Sequence, residues 1–225
     1  MTTKKRTNNE EYVRELLRKM ERVNYIKPTE VPDIELYMDQ VTTFMDEHLR
    51  TCKRFEDDKM LTKTMINNYT KNNLLPSPNK KKYSKEHMLL LIFIYYFKSF
   101  LSISDIQKIF EPLTERFYGK VGDISLEDIY REVYCYERRQ IDTLVKSVIK
   151  QYKMAEESFQ DAADPEDREF LTTFSFICML SFDVYCKKMM IEKIIDEQLA
   201  PMVARREKKE KDKEKEKDKN KKEKK

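Results

Sequence analysis

The chain has 225 residues, of which 38% are charged and 40% apolar, and only two are glycine, Gly119 and Gly122. Tight β-turns and phosphate-cradling loops depend on glycine at positive φ, so this poverty argues against an all-β fold or a glycine-loop nucleotide fold. The net charge of +4 is unevenly spread: residues 205–225 hold 13 basic and 7 acidic side chains, and Lys59–Lys85 holds seven lysines and no acid. Everything else carries 25 basic and 34 acidic residues, so a localised cation sits on an acidic body and points to an anion-binding surface.

In chain order, residues 1–9 read as a polar, disordered arm. Apolar positions Tyr12, Val13, Leu16, Leu17, Met20 and Val23 predict an amphipathic helix over about 11–26. After Pro28 and Pro32, Asp33 can cap a helix over roughly 34–55 with Leu36, Val41, Phe44, Met45 and Leu49 inward. Thr62 caps a short helix ending near Asn73, since Pro76 and Pro78 cannot continue it. Asn79–Tyr83 predicts a basic tight turn, and Ser84 opens a helix to about Phe100 that is apolar all round and therefore central. Ser102 and Asp105 cap a further short helix to about Phe110.

Past the two glycines the texture changes. Ser125 and Asp128 start a long helix whose Ile141, Val145, Val148, Tyr152, Ala155 and Phe159 alternate by four and three, the spacing of a coiled-coil seam. Asp164-Pro165-Glu166-Asp167 starts another, with Phe170, Phe174, Ile177, Val184, Ile191 and Ile195 on one stripe. A short connection predicts an antiparallel hairpin. The Lys/Glu tail places like charges at i and i+4, which disfavours helix and predicts a solvated, disordered segment. The domains expected are an arm and helix (1–33), a head (34–118), the hairpin (119–204) and the tail (205–225).

The four cysteines are widely spaced, there is no export signal, and the apolar stretches Met88–Leu101 and Leu171–Tyr185 are short for a bilayer. The expectation is a cytoplasmic protein with free, mostly buried thiols, without contact to a membrane. His48 and Cys52 share a helical face but make no metal site by themselves, and no catalytic or cofactor signature occurs, so no enzyme, metal or cofactor is expected.

The informative stretch is Lys59–Phe110. On its first helix Thr62, Ile66, Tyr69 and Asn73 fall on one side, and Thr64, Asn67, Asn68 and Lys71 on the other. Two amides, a hydroxyl and a lysine on a free face suit the major groove, where Asn bonds adenine bidentately. Lys80, Lys81 and Lys82, beside Tyr83, lie where phosphates would pass.

Asn68-Tyr69, Leu74-Leu75-Pro76, Lys82-Tyr83-Ser84 and Leu101-Ser102-Ile103-Ser104-Asp105-Ile106 resemble the reading head of MerR-type regulators, a winged helix-turn-helix. The stretch 33–110 is also similar to an uncharacterised bacterial family known as a domain of unknown function. The MerR resemblance implies an all-α, sequence-specific, double-stranded-DNA-binding transcription regulator, acting as a homodimer through the hairpin. It implies base-facing Thr64, Asn67, Asn68 and Lys71, and phosphate-contacting Lys63, Lys80, Lys81, Lys82 and Tyr83. The rival expectation is a helical protein-interaction module in which the helix-turn-helix is only scaffold. A weaker one makes the hairpin a pocket for a small apolar effector, lined by Met179, Met189 and Met190.

Overall fold

The computed structural model describes residues 9–21, 26–120 and 122–204, so the expected polar arm, Val23 and the charged tail lie outside the described residues. Two apolar cores organise what is described. The larger is the head; the smaller joins the two long helices to the first one.

Helix α1 (Asn9–Glu21) buries Val13 and Leu17, one turn apart, and it packs on the hairpin rather than on the head. Leu16, expected inward, is exposed instead. Strand β1 (Leu36–Tyr37) then pairs antiparallel with β2 (Lys82–Tyr83), Leu36 opposite Tyr83 and Tyr37 opposite Lys82. This pairing shortens the helix expected from residue 34. Helix α2 runs Met38–His48, and its N-cap position is Tyr37, whose N–H donates to Gln40 Oε1 in the first turn at 2.9 Å, instead of Asp33. Val41, Phe44 and Met45 go inward as expected. A 3-10 turn (Arg50–Cys52) and a bend follow, the bend closed by Asp58 Oδ2 accepting the N–H groups of Arg54 and Phe55.

Helix α3 (Lys63–Lys71) begins at Thr62, whose Oγ1 accepts from Met65 N at 3.2 Å. Helix α4 (Lys85–Phe97) is the central rod: every residue from His87 to Ile94 is buried. Helix α5 (Ile103–Phe117) starts at the Ser102 cap but continues past the expected end at Phe110, with Pro112 inside it. Pro112 has no N–H to offer to the Lys108 carbonyl, so the helix runs through it with one backbone bond missing, while two residues on Thr114 Oγ1 donates to the Phe110 carbonyl at 2.8 Å. Gly119, at φ 62°, ends this segment in the left-handed region.

Helices α6 (Leu126–Glu156) and α7 (Pro165–Ile194) start at the expected caps. Ser125 Oγ accepts from Asp128 N, and Asp164 Oδ1 from Glu166 N. The α6 seam is largely where it was expected, with Val148, Tyr152 and Ala155 buried; Phe159 lies beyond the helix end and is exposed. The α7 stripe is not. Its partner-facing side is Thr172, Phe176, Met179 and Leu180, whereas Phe170, Phe174, Ile177 and Val184 face out. The hairpin therefore uses a second apolar face of the same helix. A π-helical turn (Ile195–Leu199) then seats Ile195 in the head core against α5, and Lys108 Nζ bonds Asp196 at 3.0 Å. Because the helix is continuous over Pro165–Ala204, it is long and apolar enough to cross a bilayer, which the shorter stretch Leu171–Tyr185 alone was not.

Candidate nucleic-acid interface

Helix α3 is anchored on one side and open on the other. Ile66 and Tyr69 enter the core, and Leu74 N and Leu75 N both bond the Tyr69 carbonyl as the chain reverses through Asn73 at φ 55°. The Asn72 carbonyl accepts from the Gln107 amide of α5, which fixes the far end of the helix. Thr64, Asn67, Asn68 and Lys71 are all exposed, as the spacing predicted. Among the described residues, none of these four side chains takes part in a hydrogen bond or ion pair. They form an open row with two amides at its centre.

The basic turn is built on an uncommon backbone. Lys82 N bonds Asn79 O at 2.8 Å, and the two residues between, Lys80 and Lys81, stand at φ 48° and 65°. Both central residues of a tight hairpin turn are left-handed, the conformation for which Asn-Gly is the common solution. A lysine at each such position costs about 1 kcal/mol relative to glycine. The turn therefore spends stability to carry two exposed cations. Both α3 and the strand at this turn pack against α2, which places them on one frame.

Other expected phosphate contacts are placed differently. Lys63 is ion-paired with Asp39 on α2. Lys82 lies 3.8 Å from Glu35 and 5.5 Å from the centroid of the exposed Tyr37 ring. Tyr83 is only 3% exposed and meets His87 edge-on, so its ring serves the core rather than the surface. Period-two alternation in the strand accounts for this, since a half-exposed Lys82 sends its neighbour inward. Glu35 and Tyr37 were not singled out from sequence; only the pairing across some 45 residues brings them to the basic turn. Lys85, the last lysine of the acid-free window, pairs with Glu127 at 2.7 Å.

His87 is the post on which this turn is hung. Ser84 N–H donates to Nδ1 at 3.0 Å, the Tyr118 hydroxyl lies 2.9 Å from Nε2, and backbone groups of Pro76 and Ser77 also bond the ring. Burial pushes the imidazole pKa below its ordinary value, against smaller opposing effects of those backbone bonds and of Glu35. A folded pKa below the unfolded one means that the unfolded chain binds the extra proton. The stabilisation is thus complete above about pH 6.5 and lost as pH falls below it. Thermal melts of the wild type should drop between pH 7 and pH 5 by more than those of His87→Gln; parallel curves would deny His87 this role.

Elsewhere the chemistry is sparse. Among the described residues, no group of three His, Cys, Asp or Glu is placed to hold a metal ion, and His48 Nδ1 is engaged by the Phe44 carbonyl at 2.9 Å. A cleft of about 330 Å³ between α6 and α7 is lined by Gln151, Met154, Met179, Phe182 and Asp183, while Met189 and Met190 stand exposed outside it.

The head closes on itself at its two ends. Tyr130, 1% exposed at the start of α6, donates its hydroxyl to the Ile26 carbonyl at 2.6 Å, and apart from Ile195 the head core runs from one to the other. Residues 26–133 match the family model of a domain of unknown function, DUF1836. This match reaches beyond the stretch 33–110 that carried the resemblance, and its ends fall at the Ile26–Tyr130 closure. The DUF1836 match thus takes in the open α3 row, the lysine turn and the His87 post, and leaves most of the hairpin outside. No curated protein and no solved structure matches the chain.

Proposed function

We propose that the protein is a non-enzymatic, cytoplasmic regulator of transcription that binds double-stranded DNA through a MerR-like winged helix-turn-helix, with α3 in the major groove. The observation that carries this is the unengaged row Thr64, Asn67, Asn68 and Lys71 on a helix whose other side is locked into the core. The α2–α3 pair, followed by a strand-bearing basic turn, is the arrangement in which such a helix reads bases while the turn holds phosphates. Two copies joined through the hairpin would set two α3 helices on a pseudo-palindromic site.

The ion pairs sharpen the electrostatics. Of seven lysines in the acid-free window, Lys63, Lys82 and Lys85 are held by acids, leaving Lys59, Lys71, Lys80 and Lys81 without an acidic partner among the described residues. Binding should therefore weaken with salt at a slope no steeper than about −4 per head, rather than the −6 or so of seven free lysines. The test is selection from random-sequence duplexes by the full-length protein at physiological salt. Recovery of one motif with two-fold symmetry and this slope supports the proposal; no enrichment from a folded sample, or a slope near zero, overturns it.

The second reading, a protein-interaction module, is favoured by the exposed apolar face of α7. It predicts that Asn67→Ala and Lys81→Ala leave all measurable binding unchanged.

A further inference from the structure

Helix α7 has two apolar sides, and the described residues cover only one. Opposite the side packed on α6 lie Phe170, Phe174, Ile177, Ser181, Val184 and Lys188, spaced four, three, four, three, four. Phe170 is 66% exposed, Phe174 and Ile177 54% each, and Val184 63%. That spacing keeps a seam turned toward one partner helix along its length. The next two positions of the stripe, Ile191 and Ile195, are already taken by the core of the head.

We propose that the same seam of a second copy, running antiparallel, occupies this face. The area is sufficient: with Tyr185 and Met189 flanking it, about six large side chains at roughly 100 Å² each give some 600 Å² per copy, and two copies exceed the ~1,000 Å² of a specific interface. The direction follows from the head. In a parallel pair the partner's last turns would need the space where α5 already packs on Ile195. In the antiparallel register that sets Ile177 against Ser181, Phe174 against Val184 and Phe170 against Lys188, the partner's helix starts at Pro165 opposite Lys193, so only its first residues come alongside Ile191 and none reaches Ile195.

Large side chains then face small or flexible ones, and Lys188 can lay its cation over Phe170. Glu169 comes opposite Met189, next to Lys188, which pairs with Glu192 at 3.6 Å in the single chain, and the two helix dipoles oppose. A bilayer fits this face less well. Asp183, bonded by Gln151 at 2.7 Å, together with Lys187 and Lys188, sits within the apolar run, and α6 alongside is charged throughout.

Sedimentation of the full-length chain at micromolar concentration should give twice 27.3 kDa, whereas Ile177→Glu and Phe174→Glu should give 27.3 kDa with unchanged helical circular dichroism. Both residues are exposed in the single chain, so their replacement spares its fold. Cys178 flanks the seam one residue from the proposed two-fold axis and is exposed. A short bis-maleimide should therefore join two copies through it, with loss of the product in Cys178→Ser and retention in Cys135→Ser.

A wild-type monomer overturns the proposal, and flotation of that monomer with phosphatidylglycerol vesicles would assign the face to lipid. A dimer that does not crosslink at Cys178 overturns the antiparallel direction. The inference rests on the two-copy assembly of the proposed function and not on its DNA. No DNA is present in these experiments, so this seam and the α3 row fail separately.

Discussion

Replacing Lys80 and Lys81 together by glycine should make the protein more stable and a poorer DNA ligand at once. The two residues sit at φ 48° and 65°, where a Cβ is a burden and glycine is at ease. Relief of that strain, less the extra freedom glycine gives the unfolded chain, should raise stability by about 0.5–1 kcal/mol per site. On the proposed reading the same change removes two phosphate contacts per head. Each is worth roughly 5-fold in affinity at physiological salt, so the pair should cost about 25-fold per head and flatten the salt dependence by about 2. Thermal melts and binding titrations over a salt series read the two effects independently. A variant that is more stable and binds equally well would show that the lysines serve no anion; one that is less stable would show that the side chains hold the turn themselves.

The second large effect concerns sequence preference. Asn67→Ala and Asn68→Ala touch side chains that are exposed, so neither should move the melting temperature appreciably. If the amides bond adenine, each substitution should erase about 1–3 kcal/mol of discrimination at one position of the selected motif while leaving affinity for random duplex nearly unchanged. Lysine removal at the turn should do the reverse, weakening every duplex alike. Titration of matched and mismatched duplexes against both variants decides it: equal losses for the amide and lysine variants would abolish the division between base reading and phosphate holding.

What could be read from residue order alone was mostly local. Thr62, Ser102, Ser125 and Asp164 announce helix starts because a cap requires only a side-chain oxygen and an N–H two or three residues on. Each stands where it was expected. The all-round apolar run of α4 likewise leaves no alternative to a central position. The outer row of α3 followed from 3.6-residue periodicity and one buried pair, Ile66 and Tyr69.

The misses share a different cause. Strand β1 is two residues long and exists only because Lys82 and Tyr83 come alongside, so nothing within 34–37 could announce it. The same distant pairing turns Tyr83 inward and brings Glu35 and Tyr37 to the basic turn. Helix α5 outlasts its proline because tertiary packing carries it on: Phe110 is buried and Leu113 packs against the head core on either side of Pro112, which the local sequence could not announce. On α7, two apolar faces compete for one neighbour. The heptad-spaced stripe is the better coiled-coil seam, yet α6 and α1 meet the other side, around Phe176 and Met179. A pattern states that a face wants covering; it does not name the cover.

The placement of α1 has a consequence for how the molecule assembles during synthesis. Val13 and Leu17 complete a core with Val148, Tyr152, Ala155 and Phe176, well over a hundred residues downstream. At some 5–20 residues per second, this helix waits on the order of ten seconds after leaving the ribosome before its partners exist. The head, whose own core runs from Ile26 to Tyr130 apart from Ile195, can close in the meantime. Helix α1 thus spends that interval as a tethered amphipathic segment beside an already folded head, open to capture by chaperones until the hairpin arrives.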